Sequence, residues 1–454
     1  MRKLYWFRND LRVQDNPGLS AQANADGLLL VFCWPKNRPW CNVTGMGAQR
    51  ERFLVESLQA LRDDLQGLGQ ELMVLHGSPE IVIPDLVREF GIDAVETSRA
   101  PGYYERRTTE HLSKRLPVPL KLHETGTLFT EDGLPFDLEG LPGHFTPFRK
   151  QVEAQQPIAP ANAPAALPPP PAARFDAIPS AEATPPPALP VRGGTRPGQR
   201  RLRQFIFDDQ DIRQYKKTRN CMDAFSGSST LSPWLANGCI SAREVCAAIS
   251  RHEQEHGAND STYWLYFELL WREYFQWRAN RDDISLFRLG TRSSKLHNCT
   301  FEPRSFARWC AGDTDYPLVN AVMRQLVATG WASIGGRQVA ASCLINELNL
   351  DWRYGAAFFE KHLIDYDVAS NYGNWQYIAG VGADPRGGRH FDHDKQAQLH
   401  DPEGIFIEKW GGHRSSQPEF VTDAADWPIV ESLSLIHISE PTRRRDSSRM
   451  PSSA

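Results

Sequence analysis

Five groups of side chains carry the chemistry this sequence could do. Ser228-Ser229-Thr230-Leu231-Ser232-Pro233-Trp234 sets hydroxyls and a proline at the start of a helix. Serine as N-cap with proline at N1 is a strong helix start. Hydroxyls beside free backbone N–H groups also suit a phosphate, although an ordinary capped helix needs the same residues. Glu268, Trp271, Arg272 and Phe275 stand at i, i+3, i+4 and i+7, so they share one helix face. An acceptor, a stacking plate and a cation on one stripe suit a nucleobase pocket; core packing with a surface ion pair is the plainer alternative. Asp365 and Asp367, within Ile364–Asn371, are two apart and cannot share a helix face, which predicts a turn or extended piece with metal binding as a rival. His390, Asp392, His393, Asp394 and His400 are metal-compatible, yet their spacing matches no zinc signature. Trp352 and Trp375, taken alone, mean only buried aromatics.

The elements that must position these groups divide the chain. Its 454 residues suffice for two to four domains at roughly 100–200 residues each. The 51 basic and 55 acidic residues leave a net charge of −4, which excludes a globally basic binder and leaves room for a local basic groove. No apolar run approaches the roughly 18 residues of a membrane span; Leu28 to Trp34 is the longest candidate. Arg8, Asp10 and Arg12 interrupt the N-terminal apolar stretch, against a signal peptide. Cysteines 33, 41, 221, 239, 246, 299, 310 and 343 form no C-x-x-C pair and read as reduced thiols of a cytoplasmic protein. Thirteen tryptophans raise the question of stacking surfaces or electron transfer.

Lys3–Phe7, Leu28–Cys33, Leu72–Leu75, Ala94–Val95 and Leu120–Leu122 read as strands. Between them, Glu51–Leu68 and the segment from Ser78-Pro79 show helical spacing. Strand alternating with helix predicts a parallel sheet covered by helices. Neither G-x-G-x-x-G nor a Walker A loop occurs there. Pro157–Pro190 holds 12 prolines and 11 alanines in 34 residues, predicting an extended, semi-rigid linker. Arg192, Arg196, Arg200, Arg201 and Arg203 follow, either a solvated strip or an edge facing nucleic acid. From Leu202 to Trp410 the pattern is mostly helical, with Ser261–Arg278 the clearest helix and two more in Ala321–Leu350, split near Gly330 and Gly335-Gly336. The divisions are therefore 1–130 (α/β), 131–200 (linker), 201–431 (all-α) and 432–454 (a non-native or disordered tail).

Taken together, the segments resemble the photolyase/cryptochrome family. Tyr5-Trp6-Phe7-Arg8-Asn9-Asp10-Leu11-Arg12-Val13-Gln14-Asp15-Asn16 resembles its N-terminal signature, and Thr146-Pro147-Phe148-Arg149-Lys150 the end of its first domain. Ser228–Trp234, Glu268-Leu269-Leu270-Trp271-Arg272-Glu273 and Asp365–Trp375 resemble its flavin and lesion motifs in order. Asp365–Val368, Gly373–Trp375 and Ala379–Pro385 are most similar to the DASH cryptochromes, which resemble photolyases acting mainly on cyclobutane pyrimidine dimers in single-stranded DNA. The resemblance implies a Rossmann-like, photolyase-type α/β domain with a parallel sheet and a large all-α FAD-binding C-terminal domain, in a monomer.

By position it implies that Tyr215, Ser228, Ser229, Leu231 and Ser232 bind FAD phosphates. Asp365 and Asp367 would flank the flavin edge and ribitol, Arg337 would pair with Asp365, and Asn371 would face flavin N5. Glu268 and Trp271 would contact a flipped dimer, and Arg219 and Arg272 the strand backbone. Trp375 and then Trp352 would relay electrons to the flavin, and Glu105 would bind a 5,10-methenyltetrahydrofolate antenna. Three departures qualify these expectations. Ile334 and Gly335 replace an Asn-Arg pair of the family, removing a polar contact and a phosphate-binding arginine. Cys299 occupies the distal relay position, with Trp309 as an alternative exit. No convincing family ending follows Trp410. The implied activity is light-driven dimer repair, with a non-catalytic blue-light receptor and a sequence-independent nucleic-acid binder as competing functions.

Overall fold

A computed structural model describes residues 1–35, 43, 45–223, 227–290, 299–300, 302–384 and 386–415. The 432–454 tail and Pro385 lie outside the described residues.

Five apolar runs form one parallel sheet: β1 Arg2–Phe7, β2 Gly27–Cys33, β3 Leu72–Leu75, β4 Ala94–Ser98 and β5 Leu120–His123. The spatial order is β3-β2-β1-β4-β5, doubly wound about β1. Central strands are apolar at consecutive positions because both faces are covered; Leu28 to Val31 have no exposed surface. Helices Ala48–Gln66, Pro79–Phe90 and Tyr103–Arg115 cover the sheet. Each expected strand and helix is present, with ends shifted by a few residues, where helices fray and caps decide.

The proline-rich segment has no regular secondary structure, but it is no free tether. The Pro169 carbonyl accepts from the Leu28 backbone N–H at 3.1 Å, so the segment lies beside β2 where β3 no longer pairs with it. Gln70 Nε2 donates to the carbonyls of Leu28, at 3.1 Å, and Pro168. Leu167, Ile178, Leu189 and Val191 are buried. A chain lacking N–H donors can still lie along a sheet edge as an acceptor, so composition predicted the extension and not the docking. Residues 131–200 also include a helix, Phe145–Val152, and the start of another, Thr195–Arg203.

The rest is helical. Asp260–Asp282 runs through its centre, capped by a reciprocal Asn259–Thr262 box. Pro317–Thr329 and Ile334–Ser342 form the expected pair, but Gly335 and Gly336 lie inside the second helix. Ser333 starts that helix by accepting the Gly336 N–H at 3.0 Å. Trp352–His362 and Val368–Ala379 complete the set that matters here.

The N-terminal signature clamps the two parts together. Tyr5 donates to Asp10 at 2.6 Å, and Arg12 donates to the carbonyls of Asp15 and Thr125, both at 2.7 Å, and of Gly238 at 3.1 Å. Arg243, on helix Ala242–His256, pairs with Asp15 at 2.9 Å, both fully buried. Gly238 ends helix Ser232–Asn237 at a φ of 70°, and a Cβ there would run into the Asn9 carbonyl. Only glycine meets both demands without strain.

Candidate functional site

The Ser228–Ser232 loop is held from beneath. Arg201, one of the arginine run, is buried and donates to the carbonyls of Ser228 and Ser229, both at 2.9 Å, and to Thr230 Oγ1 at 3.0 Å. Three acceptors on one guanidinium fix the loop's shape and set positive charge under it. Arg192, Arg196 and Arg203 pair instead with Glu56, Asp64 and Asp208. Tyr215 is buried against Phe205, ring centroids 5.8 Å apart. Ser232 is not the N-cap: it is the first helical residue, and its hydroxyl lies 2.6 Å from Asp365 Oδ2. Capping loses here to a charge-assisted bond with a residue 133 positions away.

That bond leads into a cleft lined by Ile334, Arg337, Asp365, Asp367, Asn371 and Trp375, with Phe359, Leu363 and Ile378 among its apolar surfaces. Arg337 donates to Asp365 Oδ2 at 2.7 Å and to the Ala332 carbonyl at 2.8 Å. Asp365 Oδ1 is buried and has no hydrogen-bond partner. An unpaired carboxylate oxygen is costly unless a ligand donates to it. Asp367 caps helix Val368–Ala379 through the Ser370 N–H at 2.7 Å and takes Gln276 Nε2 on both oxygens. Asn371 is fixed by its Nδ2 bond to the Ala356 carbonyl at 3.0 Å. Apolar surface beside carboxylates, an amide and a guanidinium fits a flat heterocycle with a polar rim, as a flavin is. Among the described residues, no three His, Cys, Asp or Glu side chains converge to hold a metal ion.

Trp375 is buried at the cleft, its ring against Gly355, where a Cβ would collide with it. Its aromatic neighbours are Phe359 at 5.1 Å and Trp309 at 6.2 Å. Trp352 lies one turn before Gly355 in the same helix, and its indole N–H donates to the Leu289 carbonyl at 3.2 Å. Trp309, the alternative exit named above, has no exposed surface. Cys299 sits by the Asp351–Arg353 pair; burial, then Asp351, pushes its thiol up to about 11.

A second face lies along helix Asp260–Asp282. Trp271 stacks on Phe145 at 3.8 Å, with Tyr377 edge-on at 5.7 Å. Glu268 pairs with Arg219, and burial raises its pKa against that pull. Arg272 differs from expectation: its Nη1 donates to the Gly126 carbonyl at 2.6 Å, joining the helix to the first domain instead of presenting that nitrogen to a strand. Glu273, the next residue, is wholly buried and accepts the Leu128, Trp277 and Phe129 N–H groups at 2.9, 2.8 and 3.3 Å.

Glu105 opens a third group, at the first turn of helix Tyr103–Arg115. Its Oε2 is buried without a hydrogen-bond partner. Glu360 and Tyr366 are its charged and phenolic neighbours. Tyr372 donates to Glu360 at 2.8 Å, and Arg50 lies over the Tyr366 ring at 4.4 Å. Sequence reasoning missed Arg201, Gln276, Tyr377, Glu360, Tyr366 and Tyr372 as members of these sites. Two of these carried a local signal: Tyr366 sits between Asp365 and Asp367, and Tyr372 follows Asn371.

Residues 3–171 match the family model described as DNA photolyase, and residues 264–423 the one described as FAD binding domain of DNA photolyase. The chain is 45% identical to a cryptochrome DASH of Idiomarina loihiensis, over 94% of this chain and 96% of that protein. Its structure is similar to that of a Synechocystis cryptochrome, with TM-score 0.84, 36% identity, and 90% and 88% of the two chains covered. It is also similar to a class III photolyase of Agrobacterium tumefaciens, with TM-score 0.76, 29% identity, and 90% and 86% covered.

Proposed function

Because this chain belongs to the photolyase/cryptochrome family, among proteins called cryptochrome DASH, and binds FAD, we propose that it repairs cyclobutane pyrimidine dimers, mainly in single-stranded DNA, under blue light. The observation that carries this is the cleft in which Asp365 keeps a buried, unpartnered oxygen while Arg337 and Ser232 hold the other. When bound and reduced, the flavin supplies one photoexcited electron that splits the cyclobutane ring and then returns.

The chain's own residues position and insulate. Asp365 would accept a donor from the flavin rim on its bare Oδ1, and Asp367 is kept in place by Gln276 and the helix start. Tyr215 and the Ser228, Ser229, Leu231 and Ser232 segment would hold the phosphates, with Arg201 fixing the loop. Asn371 offers an amide, with no acidic proton to give to a reduced ring, and its bond to Ala356 holds it at the cleft. Trp271, backed by Phe145, is the plate for the flipped dimer, beside Glu268 and Arg219. Flipping costs a few kcal/mol, least for damaged or unpaired bases, which favours a single strand. Trp375 and Trp352 return electrons to an oxidised cofactor. Glu105, whose free oxygen asks for an N–H donor, suits the methenyltetrahydrofolate antenna. We place the protein in the cytoplasm as a monomer; among the described residues, no helix is long and apolar enough to cross a membrane.

The test is chromatographic. Chemically reduced protein under blue light is expected to convert thymine dimers in a single-stranded oligonucleotide to thymines; no conversion in single- or double-stranded substrate refutes the proposal. A second reading, a blue-light receptor without repair, is favoured by one observation. Ile334 puts an apolar side chain into the cleft, and Gly335 beside it carries no cation for a phosphate. Light-driven change in flavin redox state without turnover would support that reading.

A further inference from the structure

Trp375 faces Trp309 at 6.2 Å on one side and packs on Gly355, one helical turn from Trp352, on the other, and the two directions end differently. Towards Trp309 the surroundings are apolar: Phe306, Phe358 and Phe359 pack around that ring, with centroids at 6.1, 5.8 and 6.0 Å. Its indole N–H meets only the Ala340 carbonyl, at 3.0 Å. Phenyl rings are hard to oxidise and an amide carbonyl is a poor base, so charge arriving there can only come back. Towards Trp352 the surroundings are different. The Tyr372 ring stands edge-on to Trp352 at 6.3 Å between centroids. Its hydroxyl donates to Glu360 Oε2 at 2.8 Å. Cys299, beside the Asp351–Arg353 pair, keeps its thiol proton and offers no thiolate in competition.

We propose that Tyr372, with Glu360 as its proton acceptor, is the terminal electron donor of the tryptophan pair. The inference rests on the FAD-binding reading, since the oxidant that starts the relay is photoexcited oxidised flavin. Once Trp352 is a radical cation, it takes one electron from Tyr372 and becomes neutral indole. Tyr372 becomes a neutral phenoxyl radical; its O–H bond breaks as an O–H bond forms on Glu360 Oε2. No net charge then remains on the phenol, which removes the electrostatic drive for return. The groups facing Glu360 suit this role. Burial, with the neighbouring Glu105, raises the Glu360 pKa and so strengthens its hold on a proton once received, while Arg50 and the Tyr372 and Tyr366 hydroxyls pull towards the carboxylate. Tyr366 also bonds to Glu360 and helps hold it in place.

The experiment follows radicals after a flash in FAD-loaded, oxidised protein, by time-resolved absorption and electron paramagnetic resonance. A tryptophanyl signal is expected to give way to a tyrosyl signal. Tyr372→Phe is expected to lose the tyrosyl signal and prolong the tryptophanyl one, and Trp352→Phe to lose the tyrosyl signal. Glu360→Gln is expected to slow tyrosyl formation and abolish its deuterium isotope effect. A tyrosyl signal that persists in Tyr372→Phe, or none in the unmodified chain, overturns the inference. Flavin absorbance is recorded on each sample first. Colourless protein would reject the cofactor reading itself, and repair yield does not enter the test.

Discussion

The two halves of the molecule treat buried charge in opposite ways. Around β1, both carboxylates meet protein partners: Asp15 has Arg243, and Asp10 has Tyr5 and Asn16, while Arg12 reaches three carbonyls and leaves only its Nε bare. In the helical half, Asp365 is paired on one oxygen and bare on the other. Paired carboxylates hold two domains together. A half-paired one stores a demand that a ligand meets. The first half has bare carboxylate oxygens too, on Glu80 and Glu105, but neither belongs to the network around β1.

Four changes would break or sharpen this contrast. The largest effect is expected from Asp15→Ala, which strands Arg243 in the interior. Losing one partner of a buried pair costs about 3–5 kcal/mol, seen as a lower urea midpoint with flavin still bound in the folded fraction. Glu273 comes next. Burial pushes its carboxyl from 4.5 up to about 7, against the Leu128 and Trp277 N–H donors, Arg272 and the Phe129 N–H. The folded state holds that proton more tightly than the unfolded chain. Its contribution is therefore complete below the unfolded pKa and is lost as pH rises through the folded one, by at most about 3 kcal/mol. Urea titrations of the unmodified chain and Glu273→Gln should diverge from pH 5 to 8, and parallel curves would refute it. Asp365→Asn is the converse case: roughly 100-fold weaker FAD binding by equilibrium dialysis, about 2.8 kcal/mol, with an apo midpoint changed far less than by Asp15→Ala. Equal losses of stability would erase the distinction. The smallest effect is expected from Gly335→Arg. A Cβ there would meet only the Asn220 carbonyl, at 3.8 Å. The added cation should tighten single-stranded DNA binding a few-fold and steepen its salt dependence by about 0.7 in log–log slope, measured by fluorescence anisotropy.

Much of this was visible in the amino-acid order. The unbroken apolar run Leu28–Cys33 announced a strand covered on both sides, and the spacing of Phe53, Leu54, Leu58 and Leu61 a helix against it. Both are local patterns, and the core enforces local patterns. The Arg337–Asp365 pair also stands where the resemblance placed it. What escaped notice was set by distant partners. The proline-rich segment docks because Leu28 and Gln70 offer it N–H groups. Ser232 gives up capping because Asp365 stands opposite. Arg272 turns to Gly126 because the first domain packs there. Tyr372 looked like filler between Asn371 and Gly373 until Glu360 appeared beside its hydroxyl.

The central claim is that a reduced flavin in the Asp365 cleft, and no other state, delivers the electron to a dimer at Trp271. The direct measurement sets the flavin at graded fractions of full reduction and counts dimers split per photon absorbed in a single-stranded substrate. The yield is expected to follow the fully reduced fraction and to fall to zero in oxidised protein. A yield independent of that fraction, or none at complete reduction, would contradict it.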